Sequence, residues 1–258
     1  MGYKNIICYF NPASAGNATD FGDQSAISAN GCVGSVNSAT RGVYHLGTNN
    51  AGTQTNIIEY ITMGTTGNAT DFGDLTGIHP IGAALSNTTV GFFCGGGNPD
   101  IDKITIASTG NATDFGNCLN DNGTNSYSQG LSGVSSSTRG VIQSGGAGSG
   151  YTNGYDYFTL SSGGNTSNFG DPTVRGTFSD NAYSYCAANQ TIGLWYGGFH
   201  ANPNKQIQKI TIASTGNGTE YAQLGRRYGE IDVDSSTSLN PINAYGASSC
   251  NGSAAARG

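Results

Sequence analysis

The stretch Asn56-Ile57-Ile58-Glu59-Tyr60-Ile61-Thr62-Met63-Gly64-Thr65-Thr66-Gly67-Asn68-Ala69-Thr70-Asp71-Phe72-Gly73-Asp74 decides the fold, because the chain repeats it five times. It predicts a strand, a turn at Thr-Gly-Asn and a second short strand that carries Phe72. The turn copies are Gly16-Asn17-Ala18-Thr19-Asp20-Phe21, Gly67-Asn68-Ala69-Thr70-Asp71-Phe72, Gly110-Asn111-Ala112-Thr113-Asp114-Phe115, Gly164-Asn165-Thr166-Ser167-Asn168-Phe169 and Gly216-Asn217-Gly218-Thr219-Glu220-Tyr221. Their Asn residues are 51, 43, 54 and 52 residues apart. A repeat of about fifty residues is typical of a propeller or a solenoid.

Two further strands are predicted between successive copies. One begins at a Thr, runs through apolar and aromatic residues and ends at a glycine, where the backbone must bend or pack closely. Its copies begin at Thr40, Thr89, Thr138 and Thr191, and a divergent fifth copy spans 239–246. A short strand of small and apolar residues precedes it. The strand before each turn keeps a period of two, as Ile104 and Ile106 show, which favours half-buried strands.

Four antiparallel strands per repeat form the blade of a propeller. The chain opens with the last two strands of a unit and closes with the first two, so the ends together make one more blade. We therefore predict an all-β fold, a five-bladed β-propeller of four-stranded antiparallel blades whose last blade is closed by the N- and C-terminal strands. A single domain covers residues 1–258, with blades at 24–74, 75–116, 117–170, 171–222 and, for the fifth, 223–258 plus 1–23.

Composition narrows the class of function. Charged residues are 10% of the chain, against about 25% in ordinary soluble domains. A polar but weakly charged surface is common in extracellular and virion β-proteins. The net charge of −6 opposes binding to nucleic acid and to anionic membranes. No apolar run approaches the length of about 18 residues that a membrane span needs, and the first ten residues lack the apolar core of a signal peptide.

The six cysteines, at positions 8, 32, 94, 118, 186 and 250, share no place in the repeat and form no Cys-x-x-Cys pair. Disulfide frameworks and zinc sites both need matched sets. We expect unpaired and mostly buried thiols, which fits synthesis in a reducing cytoplasm.

Polar residues that recur in every unit are expected to be structural. The Asn of each turn begins an Asn-x-Thr/Ser triplet, which closes turns through side-chain bonds to the backbone and also matches a glycosylation acceptor. Asp20, Asp71 and Asp114 share one position, where a carboxylate can accept bonds from loop amides. Arg41 and Arg139 are expected to bridge to neighbouring blades or acidic turns, with a carboxylate or sugar as the other possible partner.

No catalytic, cofactor or metal site is predicted. His45, His79 and His200 occupy different repeat positions without zinc-ligand spacing, and we expect them to be solvated or locally bonded. The chain has no Gly-x-Ser-x-Gly elbow, and its Gly-rich runs lack the Lys and helix of a phosphate loop. The residues 120–125 lack the acidic ligand that closes a calcium loop. We therefore predict that the protein is not an enzyme.

The irregular insertions are the best places for recognition, because repeat proteins place function on loops that depart from the repeat. Trp195, Tyr196, Phe199 and His200 form the densest aromatic group. Aromatic faces stack on sugars and anchor protein interfaces. This group is the candidate recognition patch, although Trp195 occupies a strand position that core residues fill in other units.

The Gly-Gly that ends the second strand, the acidic residue of the third (Glu59, Asp102 and Asp156) and the aromatic residue of the fourth resemble kelch-type propeller repeats. The longer phrases at 135–141 and 103–116 resemble the repeats of virion structural proteins of marine tailed bacteriophages. The chain departs from the pattern at Val90 and at Asn240-Pro241, where other copies have Arg and Arg-Gly.

This resemblance implies a non-enzymatic virion structural protein, either a capsid decoration or a tail or fibre component. Its partners would be other virion proteins or further copies of itself. The alternative is a lectin-like, glycan-binding propeller used in host attachment. A glycosidase-type propeller would need acidic residues converging on the central channel, and the strand alternation gives no support for that.

Overall fold

The computed structural model describes residues 5–11, 13–26, 28–30, 34–49, 53–79, 82–96, 98–118, 131–143, 146–147, 150–151, 154–173, 184–196, 206–223 and 249–250. Throughout these ranges the chain is all-β, without a helix. The strands in chain order are β1 (Ile6–Tyr9), β2 (Thr19–Asp23), β3 (Ser28–Asn30), β4 (Ser35–Asn37), β5 (Arg41–His45), β6 (Thr48–Asn49), β7 (Ile57–Thr62), β8 (Thr70–Asp74), β9 (Ala83–Ser86), β10 (Val90–Cys94), β11 (Asp100–Thr105), β12 (Thr113–Asn117), β13 (Ser132–Ser135), β14 (Arg139–Gln143), β15 (Gly146–Ala147), β16 (Gly150–Tyr151), β17 (Tyr155–Thr159), β18 (Ser167–Gly170), β19 (Tyr185–Ala188), β20 (Ile192–Tyr196), β21 (Gln206–Thr211), β22 (Thr219–Gln223) and β23 (Ser249–Cys250).

The predicted four-stranded antiparallel sheets are confirmed for four units. Unit 1 has the order β4-β5-β7-β8, unit 2 β9-β10-β11-β12, unit 3 β13-β14-β17-β18 and unit 4 β19-β20-β21-β22. Strands β1 and β2 pair as an N-terminal hairpin with the register of the last two strands of a unit. The two small sheets β3-β6 and β15-β16 were not expected from the sequence.

The C-terminal strands predicted to complete the fifth blade fall within 224–248, outside the described residues. Beyond them, β23 pairs in parallel with β13 as an additional strand of the unit 3 sheet. Of the predicted fifth blade, the structure therefore describes only the N-terminal hairpin.

A β-bulge recurs between the third and fourth strands of every unit. In unit 1 the register shifts between Ile58 and Glu59, which leaves Phe72 as the extra residue. The hairpin and the other three units shift at the equivalent point. A bulge adds local twist and re-aims a side chain. Phe72 is 2% exposed, so the re-aimed ring lies in the core.

The apolar core lies between consecutive sheets rather than within any one of them. One cluster joins units 1 and 2 through residues such as Val36 and Phe93. A second joins units 2 and 3, where the Phe92 ring lies 4.9 Å from Phe115 and 5.2 Å from Phe158. A third joins units 3 and 4. No single sheet buries its own apolar face, so each unit needs its neighbour.

The glycine after the first residue of the second strand makes room for the preceding unit. A Cβ on Gly91 would lie 2.5 Å from Val36, and one on Gly193 would lie 2.8 Å from Val134. Both contacted valines belong to the first strand of the unit before. The Thr-x-Gly motif therefore reflects close packing between sheets.

Three hydrogen bonds, here called the inter-unit clamp, join the Gly-Asn turn of each unit to the outer strand of the one before. Between units 1 and 2, the Gly110 amide donates to the Phe72 carbonyl at 2.7 Å and the Ala112 amide to the Asp74 carbonyl at 2.8 Å. The Asp74 amide donates back to Asn111 Oδ1 at 3.1 Å. The same set joins the hairpin to unit 1, unit 2 to unit 3 and unit 3 to unit 4.

The clamp requires glycine on the outer strand. Gly73 has φ +141°, and a Cβ there would lie 2.5 Å from the Gly110 carbonyl oxygen. The equivalent distances at the other three junctions, for Gly22, Gly116 and Gly170, are 2.3, 2.2 and 2.4 Å. Real Cβ atoms do not approach backbone this closely, and L-residues rarely adopt this φ.

We expect Gly73→Ala to lower the free energy of unfolding by at least about 2 kcal/mol, because it adds both a steric clash and a strained φ. Gly64→Ala is the matched control, because nothing lies within 4 Å of its Cβ position and its φ is not positive. The control should change stability by no more than about 0.5 kcal/mol. Urea unfolding measures both variants, and equal losses would contradict the steric role of Gly73.

Candidate functional site

A row of buried hydrogen-bond acceptors occupies one position on the third strand of each described four-stranded unit. The residues are Glu59, Asp102, Asp156 and Gln208, all less than 10% exposed. The side-chain oxygens of Glu59, Asp102 and Gln208 face the segment that follows the outer strand of the preceding unit. Glu59 Oε1 accepts the Ser25 amide at 3.1 Å, and Gln208 Oε1 accepts the Thr173 amide at 3.0 Å. The acidic residue of the third strand therefore joins neighbouring units.

Asp102 carries the densest set of these contacts. Its carboxylate accepts the Thr76 amide at 2.9 Å and the Thr76 hydroxyl, and its Oδ2 lies 3.1 Å from His79 Nε2. Burial works to raise the pKa of Asp102, but the hydrogen bonds from His79 and Thr76 outweigh it and hold that pKa below its ordinary value. The carboxylate is ionised and has no free acceptor directed at solvent.

His79 is fully buried between two acceptors. Its Nδ1 lies 2.6 Å from the Gly95 carbonyl oxygen, while Nε2 faces Asp102. Both ring nitrogens therefore lie within hydrogen-bond distance of an oxygen atom, one of a carbonyl and one of a carboxylate. The expectation of a solvated or locally bonded histidine is confirmed for His79, which is locally bonded. Sequence analysis missed this pair because His79 has no equivalent in the other units.

His45 is also fully buried, at the end of the second strand. Its Nε2 lies 2.6 Å from the Thr55 carbonyl oxygen, and its Nδ1 meets no hydrogen-bond partner in the described part of the chain. Burial lowers the pKa of His45 to about 4, so the ring is neutral near pH 7. The neutral ring donates from Nε2 to Thr55.

A neutral polar network occupies the corresponding region between units 3 and 4. The Ser184 hydroxyl donates to Gln143 Oε1 at 2.7 Å and lies 2.8 Å from the Ser132 hydroxyl. Trp195 Nε1 donates to the same Ser132 oxygen at 3.0 Å. Gln143 occupies the slot of His45, so this position holds a different buried polar group in different units. Each satisfied network links two neighbouring sheets.

The candidate recognition patch is described only in part. Trp195 is 2% exposed and packs in the third core cluster, with its ring 4.8 Å from that of Tyr155. Tyr196 is half-buried and stacks on Tyr185, with ring centroids 5.8 Å apart. Phe199 and His200 lie outside the described residues. Among the described members, Tyr196 is the one whose ring reaches the surface.

The expected role of the two arginines as bridges between units is confirmed. Arg41 Nη1 donates to the Ile106 carbonyl of unit 2 at 3.0 Å. Arg139 Nη1 donates to two carbonyls of unit 4, those of Ile212 at 3.2 Å and Ala213 at 2.7 Å. Both guanidinium groups thus leave their own sheet for the third-to-fourth-strand turn of the next.

Each described four-stranded unit also places one cation over one aromatic ring, and the pair lies one strand later in units 2 and 4 than in units 1 and 3. In units 1 and 3 the cation begins the second strand, with Arg41 4.2 Å from the Tyr60 ring centre. In units 2 and 4 the second strand begins with Val90 or Ile192, and a Lys of the third strand covers the ring of the fourth. The departure at Val90 is therefore compensated by Lys103, 5.5 Å from the Phe115 ring centre.

The recurring turn residues are structural in the described units. Asp20 Oδ1 accepts the Gly22 amide at 3.1 Å, and Asp114 Oδ1 accepts the Gly116 amide at 3.0 Å, as expected for carboxylates that cap loop amides. The turn Asn residues bond to backbone as predicted, but they reach the preceding unit rather than closing their own turn. This is a correction to the turn prediction, and its cause is the inter-unit clamp.

Four cysteines have described side chains, and none of these four forms a disulfide bond. Cys94, Cys118 and Cys186 are buried, and Cys8 is exposed. Burial raises the pKa of the Cys94 thiol well above its ordinary value, and the neighbouring Cys118 thiol adds to this shift. Thiols in this state are poor nucleophiles.

Neither a metal-binding cluster nor a membrane-spanning helix occurs in the part of the chain that the structure describes. No group of three or more His, Cys, Asp or Glu side chains is placed to hold a metal ion there. The same residues include no helix of the length and apolarity needed to cross a bilayer.

In comparisons with known proteins, no protein family model and no curated protein matches the chain. The likeness to kelch-type repeats and phage proteins therefore stays an expectation from the motifs.

We expect wild-type stability to fall as pH decreases from about 6.5 to about 4. The pKa of His45 is about 4 in the folded protein and near 6.5 in the unfolded chain, so the unfolded chain binds more protons in this window. The loss attributable to His45 is about 3 kcal/mol at most. His45→Gln should flatten this part of the profile, because Gln143 already fills the same slot in unit 3 and cannot titrate. Urea unfolding at a series of pH values tests this, and an unchanged profile in the variant would contradict it.

We expect Asp102→Asn to lower the free energy of unfolding by about 3 kcal/mol, since it leaves the buried His79 without its anionic partner. Because the pKa of Asp102 is depressed, its contribution is present above the unfolded pKa near 4 and is lost as pH falls through the lower folded value. Asp114→Asn is the control, because this exposed carboxylate accepts one local amide and should cost less than about 1 kcal/mol. Similar losses at pH 7 in thermal or urea unfolding would argue against a buried ion pair.

Proposed function

We propose that this protein is a non-enzymatic virion structural protein of a tailed phage, either a capsid decoration or a component of the tail or fibre. The observation that carries the proposal is that the recurring polar residues form their hydrogen bonds with neighbouring units. The clamp Asn, the buried acceptor of the third strand and the bridging Arg all bond to the neighbouring unit. Residues that a multivalent binding protein would present once per unit to a ligand instead hold the array together.

The fold that we propose for this role is a closed five-bladed propeller. Consecutive first strands contact one another, β4 with β9, β9 with β13 and β13 with β19, as the inner strands of neighbouring blades would. The apolar residues of the hairpin also support a fifth blade. Phe10 is 69% exposed, whereas its equivalents Ile104 and Phe158 are each 3% exposed. We propose that the segment 223–258 supplies the two strands that cover this surface.

The surface offered by the described turns suits a packing role in an assembly. The residues between the third and fourth strands are mostly exposed Ser, Thr, Gly and Asn. Such a rim is polar but almost free of charge, so it can contact other virion proteins or copies of this chain without desolvating ions. The net charge of −6 supports a partner set without nucleic acid or anionic membrane. We place the protein in the virion, after synthesis in the host cytoplasm.

The buried carboxylates support the non-enzymatic assignment. Glu59 accepts bonds from the Ser25 amide and the Tyr44 hydroxyl, and Asp102 is held by Thr76 and His79. A catalytic carboxylate needs a lone pair directed at substrate. The carboxylate oxygens of Glu59 and Asp102 instead accept hydrogen bonds from other groups of the protein.

The proposal predicts that the protein is a stoichiometric component of purified phage particles. Mass spectrometry of particles purified on a gradient should detect it at a constant ratio to the major capsid protein. Particles made by a phage lacking the gene should lose discrete density in an electron-microscopy reconstruction. Absence from purified particles would contradict the proposal.

A glycan array distinguishes the lectin-like alternative. Binding to a defined glycan that is lost in Tyr196→Ala would favour attachment, because Tyr196 is the described patch residue with a ring at the surface. Tyr221→Ala is the matched control, since Tyr221 is an exposed ring, at 59%, on a strand outside the patch. Our proposal expects no glycan binding that depends on Tyr196.

A further inference from the structure

The outer strand of unit 4 differs from the other four outer strands at the clamp glycine. Strands β2, β8, β12 and β18 carry Gly22, Gly73, Gly116 and Gly170 there, and β22 carries Ala222. The flanking residues change as well, because Tyr221 replaces Phe and Gln223 replaces Asp or Asn. In a closed ring, β22 is the strand that would receive the Gly16-Asn17 turn of the hairpin.

A single methyl group is enough to prevent the inter-unit clamp. At the four clamped junctions a Cβ on the outer-strand glycine would lie 2.2–2.5 Å from the carbonyl oxygen of the incoming turn glycine. The obstacle is backbone on a rigid hairpin, so it cannot rotate away as the end of a side chain could. The four glycines also have φ between +141° and +149°, which alanine rarely adopts.

The described residues show no clamp at the place where a fifth junction would form. Residues 16–18 and 221–223 are all described, and none of the clamp hydrogen bonds forms between them. Gly16 lacks the positive φ of its four equivalents in the other turns. Tyr221 is 59% exposed, whereas Phe72 and Phe169 at the same position are 2% and 3% exposed.

We propose that the junction between β22 and the N-terminal hairpin is the seam of the ring, kept unclamped by the methyl group of Ala222. The partner that β22 excludes is the Gly16-Asn17 turn of the same chain. This inference rests on the ring closure proposed above. The four clamped junctions then behave as one rigid body whose two ends meet at this seam. The ring opens at this seam before any other junction yields.

Hydrogen exchange resolved to single residues tests the seam. The Gly16 and Ala18 amides are the equivalents of the Gly67 and Ala69 amides, which donate across a clamp. In the wild-type protein we expect the first pair to exchange at least about tenfold faster than the second pair. Ala222→Gly should slow the Gly16 and Ala18 amides about tenfold while the protein stays monomeric. The Gly67 and Ala69 amides serve as the internal reference in both proteins.

Gly170→Ala is the matched control, because it places the same methyl group in a clamped junction. It should speed exchange at Gly216 and Gly218, which donate to β18 and the residue after it, without changing Gly67 and Ala69. Wild-type protection of Gly16 and Ala18 equal to that of Gly67 and Ala69 would overturn the seam, as would an Ala222→Gly variant with unchanged exchange. If exchange of the Gly16 and Ala18 amides slows only when the Ala222→Gly variant forms oligomers, the Gly16-Asn17 turn binds β22 of another copy. That result would overturn the proposal that the turn and β22 belong to the same chain.

Hydrogen exchange of the β1 amides tests the proposed ring closure independently of the proposed virion function. Amides of β1 that do not bond to β2 should be protected if the fifth blade is complete. Their full exposure in every variant would overturn ring closure and the seam with it, whatever the result on phage particles. If the β1 amides are protected but the protein is absent from phage particles, the proposed virion function is contradicted and the proposed seam is not.

Discussion

The close approach of a turn carbonyl to an outer-strand glycine is the constraint on which the rest of the described structure depends. At four junctions there is no space for a side chain at that glycine, and the same contact brings three hydrogen bonds into register. Once the clamp is set, the spacing between adjacent sheets is fixed. The apolar clusters, the buried acceptors and the bridging arginines all form across that spacing, and none of them is complete within one unit.

The polar residues follow from this arrangement. A buried acceptor in the third strand would be costly without donors, and the preceding unit supplies them through the segment after its outer strand. Asp102 shows the extreme case, where a carboxylate and an imidazole ring are buried together and both ring nitrogens are engaged. Groups used in this way stabilise a unique alignment of sheets and are not available to a ligand. Their engagement is the basis of the structural role that we propose.

Differences between units mark where the repeat was free to vary. The end of the second strand holds His45 in unit 1, Cys94 in unit 2 and Gln143 in unit 3, because that slot is buried but contacts different neighbours. The cation and the aromatic ring both move one strand along between successive units while the stacking contact persists. Ala222 is a different kind of change, since it alters the contact itself and stands at the one outer strand whose neighbour would be the N-terminal hairpin.

Sequence alone determined the all-β class, the order of four strands in each unit and their positions to within a few residues, because a period-two pattern repeated at a fixed interval reports local backbone and burial directly. It also indicated that recurring Asp, Asn and Arg residues are structural. Only the tertiary structure decided what these residues bond to, since the clamp, the bulge at Phe72 and the pairing of His79 with Asp102 join segments that are far apart in the chain. Hydrogen bonds between sheets leave no periodic trace in one strand, and the space that excludes a Cβ exists only when the neighbouring unit is in place.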